Sequence, residues 1–261
     1  MAIFFHKSNK NYIINEKITL IYIPLFIIML CVLGFFYFKS IFLLIFFSAN
    51  IFHVTRQSFG ILKLYAENKN STETFKNIMY FFNLTFFLVG FFRFYAPIIS
   101  NDKVFVLSIT FGIILIISIL FTFFKFKSLN DSIILFTGSV IFYPICFVQN
   151  PVHAILMGVT MHYSQYLALT FKVTKERESV EINSNKIFLK KFNLKFLIYL
   201  FFYSLILTII SAIGKTNSKI LSNVIMIAIT LQMLHFYIDS QLWKFSIKHN
   251  RENVLKYLIK K

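Results

Sequence analysis

The chain has 261 residues, of which 57% are hydrophobic, and it carries a formal net charge of +17. Its apolar residues fall in runs of about 20 that short charged stretches separate, which is typical of membrane-spanning helices. This pattern excludes a large soluble domain. It predicts a single integral-membrane helical domain over residues 1–261.

Eight apolar segments predict an all-α fold, a polytopic membrane helix bundle with about eight transmembrane helices. The first segment is expected to stay in the mature protein, because the polar stretch before it does not resemble a signal peptide. The fifth segment is the shortest, and a seven-span alternative merges or drops one of the eight. Pro151 suits the start of the sixth, since proline is tolerated in the first helical turn. The predicted spans are residues 18–38, 41–61, 77–97, 103–124, 132–149, 151–171, 194–213 and 219–244.

Most of the 27 lysine and arginine residues fall on one side of these spans. Basic residues concentrate in cytoplasmic loops, so the asymmetry predicts that both termini are cytoplasmic. It also accounts for the net charge without a nucleic-acid partner. We expect an integral protein of the bacterial inner membrane, with a basic inner face that favours anionic membrane lipids.

Ionisable residues inside spans are costly and are functional-site candidates. His53, His162 and His235 each lie roughly eight or nine residues from the predicted inner end of a different span. At about 1.5 Å of rise per residue, all three imidazoles are expected about 12–14 Å below the inner surface. His153 lies at another depth, and whether it joins them stays open.

Each of these three histidines has polar companions about one helical turn away, on the same helix face. Asp239, four residues after His235, is the one acidic residue within a predicted span. The other companions are Asn50 and Gln57 around His53, and Gln165 and Tyr166 after His162.

Two chemistries use such an arrangement. In one, His53, His162, His235 and Asp239 bind a metal, with Gln57, Gln165 and Asn50 orienting the ligands. Nitrogen and oxygen donors favour iron, then zinc, manganese or copper. In the other, the same side chains form a proton or ion relay in a transporter. A hydrogen-bond network that only fixes helix packing is the third alternative.

The stretch "LHFYIDSQLWKF", with His235 and Asp239, resembles the last motif of the Brp/Blh family of membrane oxygenases, which cleave β-carotene. "FHVTRQ" at His53 is similar to a histidine–aspartate motif of that family, with Gln57 in place of the acid. His162 stands where the family has a histidine-rich helix. The family's Pro-His-Gly motif has no counterpart here. The resemblance implies histidine-bound iron in a helix bundle.

These observations predict a metal-dependent oxygenase or oxidoreductase, with iron as the expected metal. It is expected to take an apolar substrate from the bilayer, such as an isoprenoid, carotenoid or fatty acyl chain. The predicted metal ligands are His53, His162, His235 and Asp239, and Asp239 and Tyr166 are the predicted catalytic residues. Tyr166 is expected to hydrogen-bond oxygen or substrate. A non-enzymatic transporter or proton relay is the alternative.

Overall fold

The computed structural model describes residues 9–67, 69–94, 100–147, 162–163, 165–177, 197–202, 204–206, 208–209, 223 and 225–259. All regular structure in these ranges is helical, as predicted. Three helical segments within them are long and apolar enough to cross a membrane, which indicates membrane association. They are Ile18–Tyr37, Thr72–Arg93 and Asn101–Phe126.

The described residues up to Ser139 form six α-helices. In chain order they are α1 (Lys10–Asn15), α2 (Ile23–Tyr37), α3 (Lys39–Tyr65), α4 (Thr72–Phe94), α5 (Asn101–Phe126) and α6 (Leu129–Ser139). A π-helical turn, Ile18–Tyr22, leads into α2. Pro24 follows this turn; it has no backbone N–H to donate to the carbonyl four residues earlier, so regular α-helical bonding is interrupted there.

The second half of the described chain contributes four further helices. Residues 162–163 and 165–177 form α7, and the described residues between 197 and 209 belong to α8. Helix α9 is Ile225–Leu242, and α10 is Lys248–Asn250, which continues through Arg251–Leu255 and Lys256–Leu258. The predicted count of eight spans and the cytoplasmic placement of both termini stay predictions.

The fifth predicted span, residues 132–149, is not a continuous helix. Helix α6 ends at Ser139, a turn follows, and Tyr143–Cys146 form a 3-10 helix. Pro144 lies in that 3-10 helix and cannot donate the hydrogen bond that would continue an α-helix. The apolar composition of this segment therefore predicted one continuous helix, whereas the backbone turns after Ser139.

The fold divides into two compact units. The first comprises Met1–Ala49 and Leu167–Lys261. In it α2 packs against α9. Cys31 and Phe35 of α2 cluster with Phe42 of α3, and Met226 and Met233 of α9 pack against this cluster. The Tyr237 hydroxyl on α9 donates to the Thr19 carbonyl at 2.8 Å, which fixes α9 against the start of the first long helix.

His249 joins the two ends of this first unit. Its ring stacks on Tyr12 at 4.0 Å between centroids, and Nε2 donates to Oδ1 of Asn9 at 2.8 Å. The Asn253 amide donates to Nδ1 of the same ring at 3.3 Å. One nitrogen donates and the other accepts, so these contacts select the neutral imidazole.

The second unit, Asn50–Tyr166, is built around α4, which contacts α5, α6 and the 3-10 helix. One hydrophobic cluster of this unit contains ten buried residues among those described, including Phe82 and Phe86 of α4. At Gly90 the 3-10 helix comes close to α4: a Cβ there would lie 2.2 Å from Cγ2 of Ile145. Glycine is therefore required for this contact.

We expect Gly90→Ala to destabilise the protein by about 1–3 kcal/mol, because the added methyl group overpacks the contact with Ile145. Gly60→Ala is the matched control, since a Cβ at this other helical glycine meets nothing within 4 Å. Thermal unfolding in detergent compares the two. Equal stability of both variants would contradict the close packing.

The neutral state of His249 predicts an acid-sensitive contact. Burial first, and the positive charge of Arg177 second, lower the pKa of His249, against a smaller opposite effect of Glu252. A lowered folded-state pKa means that this contact contributes fully above the unfolded value of about 6.5 and weakens as pH falls below it.

The stability difference between wild type and His249→Phe should therefore shrink as the pH is lowered from neutral to mildly acidic. Phenylalanine keeps the stack on Tyr12 and cannot titrate. Comparing the two proteins removes the contribution of the other histidines. A difference that is constant with pH, measured by thermal unfolding, would show that His249 titrates alike in both states.

Candidate metal centre

His53 and His162 face each other within the second unit. His53 lies on α3 and His162 at the start of α7, and their ring centroids are 5.2 Å apart in an edge-to-face arrangement. His162 is almost completely buried, with 1% of its surface exposed. Two imidazoles are thus held together in a part of the chain that is otherwise rich in phenylalanine.

His235 lies on α9 in the first unit, with Asp239 one turn later on the same face. Nδ1 of His235 and Oδ1 of Asp239 are 3.6 Å apart, and the Asp239 side chain is 1% exposed. A carboxylate that faces one ring nitrogen fixes the orientation of the imidazole and directs the other nitrogen away. Asp239 is therefore placed next to the ring that it is predicted to orient.

The prediction that these three imidazoles converge is confirmed. His53, His162 and His235 each offer a ligand atom, and the three atoms lie within 4.8 Å of one another. Ligand nitrogens of a tetrahedral site with metal–nitrogen bonds of about 2.1 Å are roughly 3.4 Å apart. The three histidines are thus close enough together that they could hold a metal ion.

Asp239 contacts His235, and the group of close ligand atoms consists of the three histidines. Its predicted role as a direct metal ligand stays a prediction; metal-bound histidines commonly have a carboxylate next to the ring. The catalytic roles of Asp239 and Tyr166 likewise stay predictions. His153 lies outside the described residues.

The predicted companions differ in their contacts. Asn50 is 5% exposed, and its Oδ1 has no hydrogen-bond partner among the described residues. The Gln57 carboxamide is also buried without a partner in this part of the chain. Gln165, in contrast, accepts a hydrogen bond from Ser58 at 3.3 Å. Tyr166 is buried, one turn after His162.

The hydrogen bond between Ser58 and Gln165 could not be predicted from the sequence. Ser58 lies five residues after His53, outside the three- and four-residue spacings that define a shared helix face. Its hydroxyl nevertheless reaches Gln165 and links α3 to α7, the two helices that carry His53 and His162. No spacing rule would have selected it, because the partner comes from another helix.

Comparison of the chain with protein-family models, with curated proteins and with solved structures finds no match.

We expect Asp239→Asn to weaken the affinity of the three histidines for a divalent transition metal by about 10–100-fold, because the amide lacks the charge that supports the His235 ring. Competition with a chromophoric chelator measures this affinity. Glu252→Gln is the control, because this exposed carboxylate pairs with Lys248 at 3.8 Å. Wild-type affinity in Asp239→Asn would refute a supporting role for the carboxylate.

Proposed function

We propose that the protein is a membrane-embedded oxygenase or related oxidoreductase with a histidine-bound metal, and that its substrate is an apolar, lipid-like molecule. One observation carries this proposal: three imidazoles from separate helices offer ligand atoms within 4.8 Å of one another. Histidines inside a bundle of such apolar composition are costly to keep, and a shared metal ion gives them one purpose.

The donor set favours iron. The donors present are imidazole nitrogens and, next to them, carboxylate and amide oxygens, a set that suits iron, zinc, manganese or copper. Both cysteines are buried in packing clusters, Cys31 beside Phe35 and Cys146 beside Phe142. A redox-active ion such as iron supplies electron transfer and dioxygen chemistry when it is bound.

In this proposal, the histidines bind the metal, and other side chains position the ligands or the substrate. Asp239 orients His235, leaving the Nε2 side of the ring for the ion. Tyr166 supplies a buried hydroxyl one helical turn from His162, which we assign to hydrogen bonding with oxygen or substrate. The apolar residues around these groups exclude water, so polar side chains interact more strongly there.

An apolar substrate fits the outer surface of the helices. Helix α5 exposes Phe105, Phe121 and Phe124 to more than half of their full extent, and α2 exposes Phe26 and Phe36 similarly. Such faces are compatible with lipid and would let an isoprenoid, carotenoid or fatty acyl chain approach from the bilayer. The resemblance to Brp/Blh oxygenases supports the same substrate class, and we place the protein in the bacterial inner membrane.

A proton relay is the second candidate, and the edge-to-face contact of His53 and His162 at 5.2 Å favours it. Two adjacent imidazoles can exchange a proton through one hydrogen-bonded group. Metal binding separates the candidates, because a relay does not need an ion at the point where the three rings meet.

We expect the purified protein to bind one equivalent of Co²⁺ with an absorbance typical of nitrogen ligands, and to retain iron after iron-supplemented expression. His53→Ala, His162→Ala and His235→Ala should each lower the metal content by tenfold or more. His249→Ala is the matched control, because this histidine contacts Asn9 and Tyr12. Metal content comes from elemental analysis, together with thermal unfolding to verify folding.

Full metal content in both His53→Ala and His235→Ala would overturn the metal centre. If metal binds as expected, oxygen uptake by the iron-loaded protein in lipid nanodiscs tests the reaction. Uptake that depends on an added carotenoid or polyunsaturated fatty acid, and that His162→Ala abolishes, supports the oxygenase. Proton flux through metal-free vesicles, lost in the same variant, supports the relay instead.

A further inference from the structure

A second group of buried polar side chains lies inside the unit Asn50–Tyr166, apart from the imidazoles. Its four members come from three helices and are almost completely buried, with at most 1% of their surface exposed. They are Thr55 and Ser58 on α3, Asn83 on α4 and Ser139 at the end of α6.

Three of these four residues lie around one backbone segment, at Gly138 and Ser139. The Asn83 amide donates to the carbonyl of Gly138 at 2.8 Å. A Cβ at Gly138 would lie 3.3 Å from Cβ of Ser58, so Ser58 packs against the same residue. Ser139 is the next residue in the chain. Thr55 lies one turn before Ser58 and shares its helix face.

Part of the hydrogen-bonding capacity of this group is not used within the described residues. The Thr55 hydroxyl, the Ser139 hydroxyl and Oδ1 of Asn83 are buried, and none has a hydrogen-bond partner in the described ranges. A polar atom that is buried without a partner costs about 1–3 kcal/mol. Three such atoms in one small region are too costly for a dry core.

Two other buried hydroxyls of this chain differ from those of Thr55 and Ser139 in their hydrogen bonding. Ser108 and Thr122, both fully buried on α5, donate to carbonyls of their own helix at 2.6 and 2.8 Å. Ser and Thr in helices commonly satisfy themselves in this way. Thr55 lacks such a bond, and Ser58 donates to Gln165 instead. These hydroxyls are thus available to another group.

We propose that Thr55, Ser58, Asn83 and Ser139 form a site for bound water inside this unit. Water fits because the side chains offer both donors and acceptors at neutral groups, and a buried water makes two to four hydrogen bonds. No carboxylate belongs to the group, so it is not built for a divalent cation. The Ser58–Gln165 hydrogen bond connects this water site to the helix of His162, which gives the imidazoles a polar neighbour in an apolar core.

The proposal is tested by whether removing a hydroxyl lowers or raises the thermal unfolding midpoint. Thr55→Val and Ser139→Ala each remove one hydroxyl with almost no change in volume. If the hydroxyls bind water, each variant leaves that water short of a partner, and its unfolding midpoint falls by about 2–4 °C. If the region is dry, each variant removes an unpaired buried group and its midpoint rises.

Ser108→Ala is the matched control, because it removes a buried hydroxyl that donates to a carbonyl of its own helix. The change in its unfolding midpoint is the reference for the other two variants. Because groups that share one water are coupled, the double variant Thr55→Val/Ser139→Ala should lose less than the sum of the single losses. A rise or no change in both single variants overturns the proposal.

A density map of the protein in nanodiscs provides the second measurement. Ordered density within hydrogen-bonding distance of the Ser139 hydroxyl and of Oδ1 of Asn83 is the expected result. Direct bonding of these side chains to each other would overturn the water site. Neither experiment involves a metal, so failure here leaves the metal centre standing, and loss of the metal centre leaves this site standing.

Discussion

The cost of burying an unpaired polar group is the constraint on which this structure depends. In an apolar core neither water nor lipid satisfies a side-chain nitrogen or oxygen, so each must find a partner within the protein or in a bound ligand. Several serines and threonines of this chain solve the problem locally, by donating to a carbonyl of their own helix, as the buried Ser108 and Thr122 do. The Thr55 and Ser139 hydroxyls do not bond in this way.

Helix α3 shows how one element combines packing and chemistry. Its first turns bury Phe42 and Phe46, with Phe46 stacked 6.4 Å from Phe236 of α9. From Asn50 onward the same helix carries a series of polar residues, among them His53 and Gln57. The apolar part fixes the helix in place by burial, and this rigidity allows the later turns to present an imidazole in a defined position.

A carboxylate next to an imidazole is more informative than either group alone. Asp239 is 1% exposed and lies 3.6 Å from His235. A buried carboxylate is stabilised only where a donor or a positive charge is close. An imidazole that is itself bound to a metal through its other nitrogen is a strong donor, since the ion draws electron density from the ring. In the proposed metal centre, the Asp239 carboxylate would support the metal-bound His235 ring in this way.

The sequence was sufficient for features that depend on periodicity and depth. The spans predicted at 77–97 and 103–124 correspond to helices Thr72–Phe94 and Asn101–Phe126, and counting residues from the inner ends brought His53, His162 and His235 together. The prediction of a continuous span at residues 132–149 was wrong, because composition alone does not take account of the backbone constraint at Pro144.

Contacts between helices also could not be predicted from the sequence. Nothing in the spacing shows that the Ser58 hydroxyl turns from its own helix to Gln165, because the choice depends on how far α7 lies from α3. Helix patterns define which residues share a face, but only packing defines which faces meet. A site built from several helices can thus be narrowed to a few residues by sequence, and its hydrogen bonds have to come from the fold.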